Sequence, residues 1–406
     1  MKHFSASTPM FFNPRLHPRA WLLACGCLIL TYIVATLTGG FTLSPAKRLT
    51  SQKDLLNDVF NATLGFQKIL VIGLPSRTDR RDSMSLAAAF SGLQVEYVDG
   101  VTQVDNKTLP PGGVERGIDG GSLFAWRAHM NALRLIVEQN LTSALVLEDD
   151  IDWDIRIKAQ MKEFARAARL LVQPLPHTRE QYLDPTYPSP SADQGYQSFD
   201  VNEHATSDPT DSPYGDISRW DLLWLGHCGC RFPLASDLNV PLGRAVIAND
   251  DTVPEHQHLD MEYGNDELLR QYPPHTRVVS RARVNTCSLA YAISQPGARR
   301  FLYELGVHKM SDPNDIMFRY VCDGVDDRQL ATCLTFQPQL FQHHRPVGAK
   351  AGFSDIADHG DGFNDRAFTR NVRWSVRLNF ANLVSGSANY TDSFPDGGRK
   401  VHFPDG

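Results

Sequence analysis

The segment Glu148-Asp-Asp-Ile-Asp-Trp-Asp154 sets five carboxylates within seven residues. Like charges this close repel one another unless a cation neutralises them, so a divalent ion held among Glu148, Asp149 and Asp150 is the chemistry that suits these residue types. A helix–loop–helix calcium site does not fit. With Asp150, Asp152 and Asp154 as its first, third and fifth positions, Ile155 stands where glycine is required and Met161 where the closing glutamate belongs. The plain alternative is a solvated acidic turn, and Asp152 and Asp154 are expected to be of that kind. For the first three acids the preceding run, Ser143-Ala-Leu-Val-Leu147, argues otherwise. It reads as a buried strand that delivers them to its C-terminal end, where α/β sheets bind ligands.

Other residues suit a nucleotide. Arg77 and Arg80 follow an earlier apolar run, and arginine makes forked contacts with phosphate or uracil oxygens. Asp79 between them reads as charge compensation at a helix start. Asp99, before Gly100, suits ribose hydroxyls or simply opens a turn. Arg373 and Arg377 could close over a diphosphate, but solvated edge charges are the expected reading.

These residues need elements to position them. Lys68 to Pro75 reads as a buried strand, Thr78 to Phe90 as a helix stopped by Gly92, and Leu93 to Val98 as a second strand. Strand, helix and strand at this spacing form the right-handed crossover of a mononucleotide-binding half-sheet. No GxGxxG follows the first strand, which argues against a dinucleotide cofactor. Ser122 opens a helix with Leu123, Trp126, Met130, Leu133 and Val137 on one stripe, ending at Asn140. Residues 173–219, rich in Pro, Ser, Asp and Tyr, read as a flexible insertion. Structure resumes at Asp221–His227, then at Cys287–Ser294 leading into a helix to Leu305, and at Leu334–Phe341. Val372, Trp374, Val376, Leu378 and Phe380 alternate with polar residues, which predicts a half-buried strand. The expected fold is α/β, a Rossmann-type mixed, mostly parallel sheet flanked by helices.

The chain has 406 residues, 42% hydrophobic and 21% charged, with a net charge of -6. That is enough for a large core, and it lacks the basic face of a general nucleic-acid binder. Ala20 to Leu37 is an apolar run of 18 residues. It predicts a transmembrane signal-anchor over 20–38, with a cleaved signal peptide as the rival. Residues 1–19 then form a cytosolic tail, 39–64 a stem, 65–380 the main domain and 381–406 a C-terminal tail, with the main domain lumenal. Asn61, Asn106, Asn140 and Asn389 stand in acceptor triplets for N-glycosylation. Of seven cysteines, Cys25 and Cys27 fall in the anchor and five lie beyond it, without the spacing of a zinc site, so lumenal disulfides are expected.

Several segments, in order and spacing, resemble glycosyltransferase family 25, which includes lipooligosaccharide and collagen galactosyltransferases, and most of all its fungal members. They are Ile72–Arg81 (IGLPSRTDRR), Arg127–Glu138 (RAHMNALRLIVE), Ala144–Asp154 (ALVLEDDIDWD), Asp221–Gly229 (DLLWLGHCG), Ala290–Leu302 (AYAISQPGARRFL) and Gln337–Pro346 (QPQLFQHHRP). Ser354-Asp-Ile356 and Asn371–Asn379 (NVRWSVRLN) extend the similarity over most of 66–379. The resemblance implies a GT-A-like fold, a nucleotide-diphosphate donor, usually UDP-galactose, assistance by Mn²⁺, and inversion at the anomeric carbon.

Residue by residue, Glu148 and Asp150 match the outer carboxylates of the family's acidic motif, with Glu148 where many sugar transferases place Asp. His343 or His344 is a candidate C-terminal metal ligand, against the alternative of a surface pair before a proline turn. His129 matches the histidine of a Ser-His pair whose serine position is Ala128 here, and a buried, merely satisfied histidine is its rival reading. Asp315 matches the acid expected to take the acceptor's proton, with Asp312 its nearest competitor. Cys228 with Cys287 and Cys322 with Cys333 are the preferred disulfides, leaving Cys230 over, although spacing alone does not fix the connectivity. The expectation is a single-pass type II protein of the Golgi or endoplasmic reticulum membrane that transfers a hexose to a glycan or glycoprotein. A metal-dependent nucleotide-sugar hydrolase or phosphotransferase, and a non-catalytic carbohydrate-binding descendant, are the rival classes.

Overall fold

The structure is a computed structural model and describes residues 54–118 and 120–403. The chain divides into Met1–Lys53 and Asp54–Gly406. The expected cytosolic tail, the signal-anchor and part of the stem therefore lie outside the described residues. No helix among the described residues is long and apolar enough to cross a membrane.

The first crossover forms where the sequence places it. Strand β1 (Lys68–Gly73) is followed by helix α1 (Thr78–Phe90) and strand β2 (Glu96–Asp99), which pairs parallel to β1 with Leu70 opposite Glu96 and Gly73 opposite Asp99. Helix α2 (Gly120–Glu138) leads to β3 (Ser143–Glu148), parallel to β1 on its other side. Then follow β4 (Ile151–Trp153), α3 (Ile157–Val172), β5 (Ser198–Asp200), β6 (Leu222–Gly226), β7 (Arg244–Ile247), β8 (Arg277–Arg281) and β9 (Ala290–Ser294). Helices α4 (Gln295–Tyr303) and α5 (Asn314–Asp323) precede β10 (Cys333–Gln337) and β11 (Phe341–Arg345). Ser294 caps α4, its hydroxyl accepting from the Gly297 amide, with Pro296 in the first turn.

Nine strands form the main sheet in the order β2-β1-β3-β9-β6-β10-β8-β7-β5. Only β9 and β8 run against the rest, since each pairs antiparallel with both of its neighbours. The sheet is thus mixed and mostly parallel, as expected. Alternate residues of its central strands feed separate cores on the two faces. Val71, Leu145 and Leu147 pack with α1 and α3, while Leu70, Ala144 and Val146 pack with α2, α4 and α5. The stripe of α2 buries Leu123, Trp126, Met130 and Leu133 in the second of these.

A smaller sheet crosses the C-terminal end of β3: β11 lies between β4 and the short strand Phe368–Thr369, antiparallel to both. The 173–219 segment is irregular over most of its length but tied down. It supplies β5 to the sheet edge, buries Tyr214 stacked on Phe66 at 4.7 Å, and buries Asp184, which accepts from the Thr186 and Gly243 amides.

The alternating stretch from Val372 to Phe380 is not a strand. It touches the sheet through one bridge, Ser375 to Asp154, and continues as a turn at Arg377–Asn379 and a short helix at Phe380–Val384. The cause is that its polar residues are all buried: Arg373, Ser375, Arg377 and Asn379 point into protein, while Trp374, Leu378 and Phe380 are only half-buried. A half-buried strand turns its polar face to solvent, and this segment turns it inward. The disulfides are Cys228–Cys287 and Cys322–Cys333, and Cys230 is a free, buried thiol. Asn61, Asn106, Asn140 and Asn389 are all exposed.

Candidate functional site

A cavity of about 820 Å³ opens along the strand ends β2, β1, β3, β9 and β6, within the ~300–1,000 Å³ usual for small-molecule sites. Glu148, Asp149 and Asp150 lie in its floor. β3 stays in the sheet up to Glu148, whose amide donates to the Leu289 carbonyl at 2.9 Å. The chain then turns at Asp149 and Asp150 into β4, so the three side chains leave in different directions.

Asp150 is drawn toward β11. The His344 amide donates to the Asp150 carbonyl at 2.8 Å, and His343 pairs with Ile151 across the small sheet. This register places His343 Nε2 4.0 Å from Asp150 Oδ2. Glu148, Asp150 and His343 each offer a ligand atom, all within 4.8 Å of one another. Asp150 Oδ1 is buried without a hydrogen-bond partner. Two carboxylates and an imidazole form a donor set that suits Mn²⁺ or a similar divalent ion. Burial pushes the Asp150 carboxyl up, but the charges facing it, His343 when protonated and the guanidinium groups of Arg80, Arg345 and Arg377, reverse this and hold it below the usual carboxylate range. Burial pushes the His343 imidazole down to about 4, so near neutral pH its ring is uncharged and it is the three arginines that keep Asp150 ionised. A neutral imidazole is also the form that binds metal.

Asp149 turns the other way. Arg80 Nη1 donates to its Oδ1 at 2.9 Å, and the carboxylate packs against the end of β1, where a Cβ on Gly73 would stand 2.8 Å from Asp149 Cγ. Burial raises the Asp149 carboxyl to about 6 against the opposing pull of Arg80. Arg80 also donates to the Phe353 carbonyl at 2.9 Å, so it ties the loop that follows β11 to the acidic motif. That loop meets the first turn of α2, where a Cβ on Gly121 would stand only 2.8 Å from Ile356 Cα.

The far side of the floor is a hydrogen-bonded network. His129, buried on α2, contacts the Tyr291 hydroxyl through Nδ1 at 3.0 Å, while its Nε2 lies 3.3 Å from Ser288 Oγ and 3.4 Å from Glu148 Oε1. The Ser288 hydroxyl donates to Glu148 Oε1 at 3.0 Å. Glu148 is therefore oriented from behind, as metal-binding carboxylates commonly are. Asp315, at the start of α5, also faces the cavity and accepts from the Cys287 amide at 2.7 Å. Burial raises its carboxyl, with Glu148 adding to the shift and backbone amides opposing it.

The sequence-predicted residues thus divide. Glu148, Asp149, Asp150, Arg80, His129, Asp315 and His343 line one cavity. Arg77, Asp99 and His344 do not. Arg77 is engaged by Asp79 at 2.8 Å and Asp355 at 2.6 Å, and Asp99 is exposed and paired with Arg81 at 2.5 Å. The His344 ring turns to Thr369 Oγ1 at 3.0 Å, beside Asp152.

Asp152 and Asp154, expected in solvent, are 0% and 1% exposed. Asp152 accepts from Thr369 Oγ1, Ser375 Oγ and the Arg377 amide, and Asp154 from the Arg156 and Trp374 amides. They are anchors for the C-terminal segment rather than surface charges. Arg373 and Arg377 are likewise buried, the first on Asp392 and the second on the Asp149 carbonyl. Sequence reasoning missed Ser288, Tyr291 and Arg345. Arg345 sits beside the His pair and could have been found there, whereas Tyr291 reads as an ordinary core residue of β9. No protein-family model matches the chain.

Proposed function

We propose that the protein is a lumenal, membrane-anchored glycosyltransferase of GT-A-like architecture, resembling family 25, that moves a hexose from a UDP-sugar, galactose with inversion, to a glycan or glycoprotein. The observation that supports it most is the convergence of Glu148, Asp150 and His343 within 4.8 Å at the C-terminal end of a central strand, beside a cavity large enough for a nucleotide sugar. These three would hold a divalent ion, and such an ion supplies charge neutralisation for a departing diphosphate.

The chain's own residues have definable work in this reading. Arg80 and Arg345, 3.9 and 3.5 Å from Asp150, add positive charge where phosphates would lie. Gly100, at the end of β2, adds no side chain of its own to the cavity wall where a nucleotide would approach. His129 and Ser288 keep Glu148 aimed at the cavity. Asp315 is the group to accept the proton of the attacking hydroxyl, since burial increases its proton affinity. Two disulfides and four exposed glycosylation triplets agree with a secretory-pathway location.

The test is a donor screen on the purified full chain: UDP-galactose, UDP-glucose, their N-acetyl forms and GDP-mannose, each with Mn²⁺ and with EDTA. A UDP-sugar should bind or be slowly hydrolysed with Mn²⁺ and not with EDTA. Absence of any nucleotide-sugar binding in Mn²⁺ would falsify the assignment.

A further inference from the structure

Beyond the acidic motif, on the side of β9 and β6, the turn Asp260–Gly264 supplies Asp260, Glu262 and Tyr263 to the cavity wall, and the donor site proposed above gives these residues no role. Tyr263 is the most exposed large apolar side chain among the described residues, at 78%. Its backbone is nevertheless fixed. The Tyr263 amide donates to the Cys228 carbonyl at 3.1 Å, and the turn lies so close to Gly229 that a Cβ there would stand 3.0 Å from Gly264 Cα. Cys228 is in turn bonded to Cys287, whose amide donates to Asp315. The turn and the acid facing the cavity are thus connected through one disulfide with a backbone-donated hydrogen bond at each end.

Glu262, just before it, has φ +42°, a left-handed conformation unusual for a side chain of this size. Its surroundings impose it. The Glu262 amide donates to Asp260 Oδ1 at 2.9 Å, and Arg370 Nη1 bridges Glu262 Oε1 at 3.0 Å and Asp260 Oδ2 at 3.1 Å. Glu262 Oε2 keeps no partner. A rigid turn therefore sets an uncovered aromatic ring, and beside it a carboxylate held in place by Arg370, on the wall of the same cavity.

We propose that the Asp260–Gly264 turn is a subsite for a neutral saccharide acceptor, with the Tyr263 ring under the apolar face of a pyranose and Glu262 accepting from its hydroxyls. The proposal rests on the sugar-transfer reading, of which it names the acceptor class. An aromatic face beside a few fixed acceptors is what holds a molecule that is apolar on one side and ringed with hydroxyl donors. Asp260, Glu262 and Asp315 outnumber Arg370 and Arg345, the basic groups nearest the turn, so an anionic acceptor such as a sialylated glycan is disfavoured there.

The experiment uses the purified full chain, wild type and as Tyr263→Ala, Tyr263→Trp and Glu262→Gln. Lactose, N-acetyllactosamine, cellobiose, mannobiose and chitobiose, with 3′-sialyllactose as the anionic comparison, are titrated by ligand-observed NMR. At least one neutral disaccharide should bind. Tyr263→Ala should weaken it about tenfold, while Tyr263→Trp stays within about threefold. Glu262→Gln should weaken it, and 3′-sialyllactose should bind more weakly than lactose. The proposal is overturned if wild type binds none of the neutral sugars, or if Tyr263→Ala binds them as well as wild type. UDP with Mn²⁺, titrated separately into wild type, reports on the donor half alone. Failure there with tyrosine-dependent saccharide binding intact would remove the transferase reading and leave a carbohydrate-binding site.

Discussion

Arg377 donates from its buried guanidinium to the backbone carbonyl of Asp149 at 2.8 Å. A residue near the end of the folded chain thereby fixes the main chain of the acidic motif. Replacing it with alanine should cost about 1.5–3 kcal/mol of stability, the usual loss for a buried hydrogen bond to a charged group. It should also weaken Mn²⁺ binding, because Asp150 follows directly. Urea denaturation and calorimetric titration with Mn²⁺ measure the two effects, and unchanged metal affinity would show that the motif does not depend on this support.

Metal binding should require Glu148, Asp150 and His343 and spare His344. Asp150→Asn, Glu148→Gln and His343→Ala are each expected to reduce Mn²⁺ affinity by at least about tenfold. His344→Ala should leave it nearly intact, since that ring is turned to Thr369 at 3.0 Å. Equal losses in the His343 and His344 variants would contradict the geometry.

Asp152 should behave as a structural carboxylate. Asp152→Ala would leave the hydroxyls of Thr369 and Ser375 and the Arg377 amide without their common acceptor. The expected loss is about 3–5 kcal/mol, as for breaking other buried charged networks. Limited proteolysis should then cut within 366–380 before the rest of the domain. A variant as resistant as wild type would show that the segment is held by other contacts.

His227 predicts an acid-sensitive fold. Its Nε2 lies 3.0 Å from the Phe336 carbonyl, its Nδ1 has no partner, and burial pushes its pKa from 6.5 down to about 4. The folded pKa is depressed, so the contribution is fully present above 6.5. It is lost as pH falls toward about 4, because the unfolded chain takes up a proton that the fold refuses. Between about pH 7.5 and about pH 5 this one group should remove about 2 kcal/mol. His227→Gln should flatten the stability profile over that interval by a similar amount, and an unchanged slope would assign the acid sensitivity elsewhere.

The crossover β1-α1-β2 and the delivery of Glu148, Asp149 and Asp150 by β3 were legible because they are local: a run of apolar residues, a helix of matching length and a charged end. The two disulfides also matched the preferred pairs. What the sequence did not disclose depends on contacts between distant segments. Nothing within Phe341–Arg345 says that it will lie against Ile151–Trp153, and that pairing alone decides which histidine meets Asp150. The acids at 152 and 154 looked solvated because their donors, Ser375, Arg377 and Trp374, lie more than two hundred positions downstream. Alternation from Val372 to Phe380 misled for the same reason, since a polar residue buried on a carboxylate reads like one facing water.

Strand β11 presents His343 to the cavity and His344 to Thr369 on successive residues. Its frame is therefore decisive: deleting one residue between Leu340 and His343 would bring His344 to the cavity and Arg345 to Thr369, and inserting one would turn His343 to Thr369 and leave Gln342 facing the cavity. After a deletion the neighbouring imidazole would stand in for the lost ring at the cavity, whereas after an insertion an amide would take its place, so the two changes are not equivalent for an ion held there.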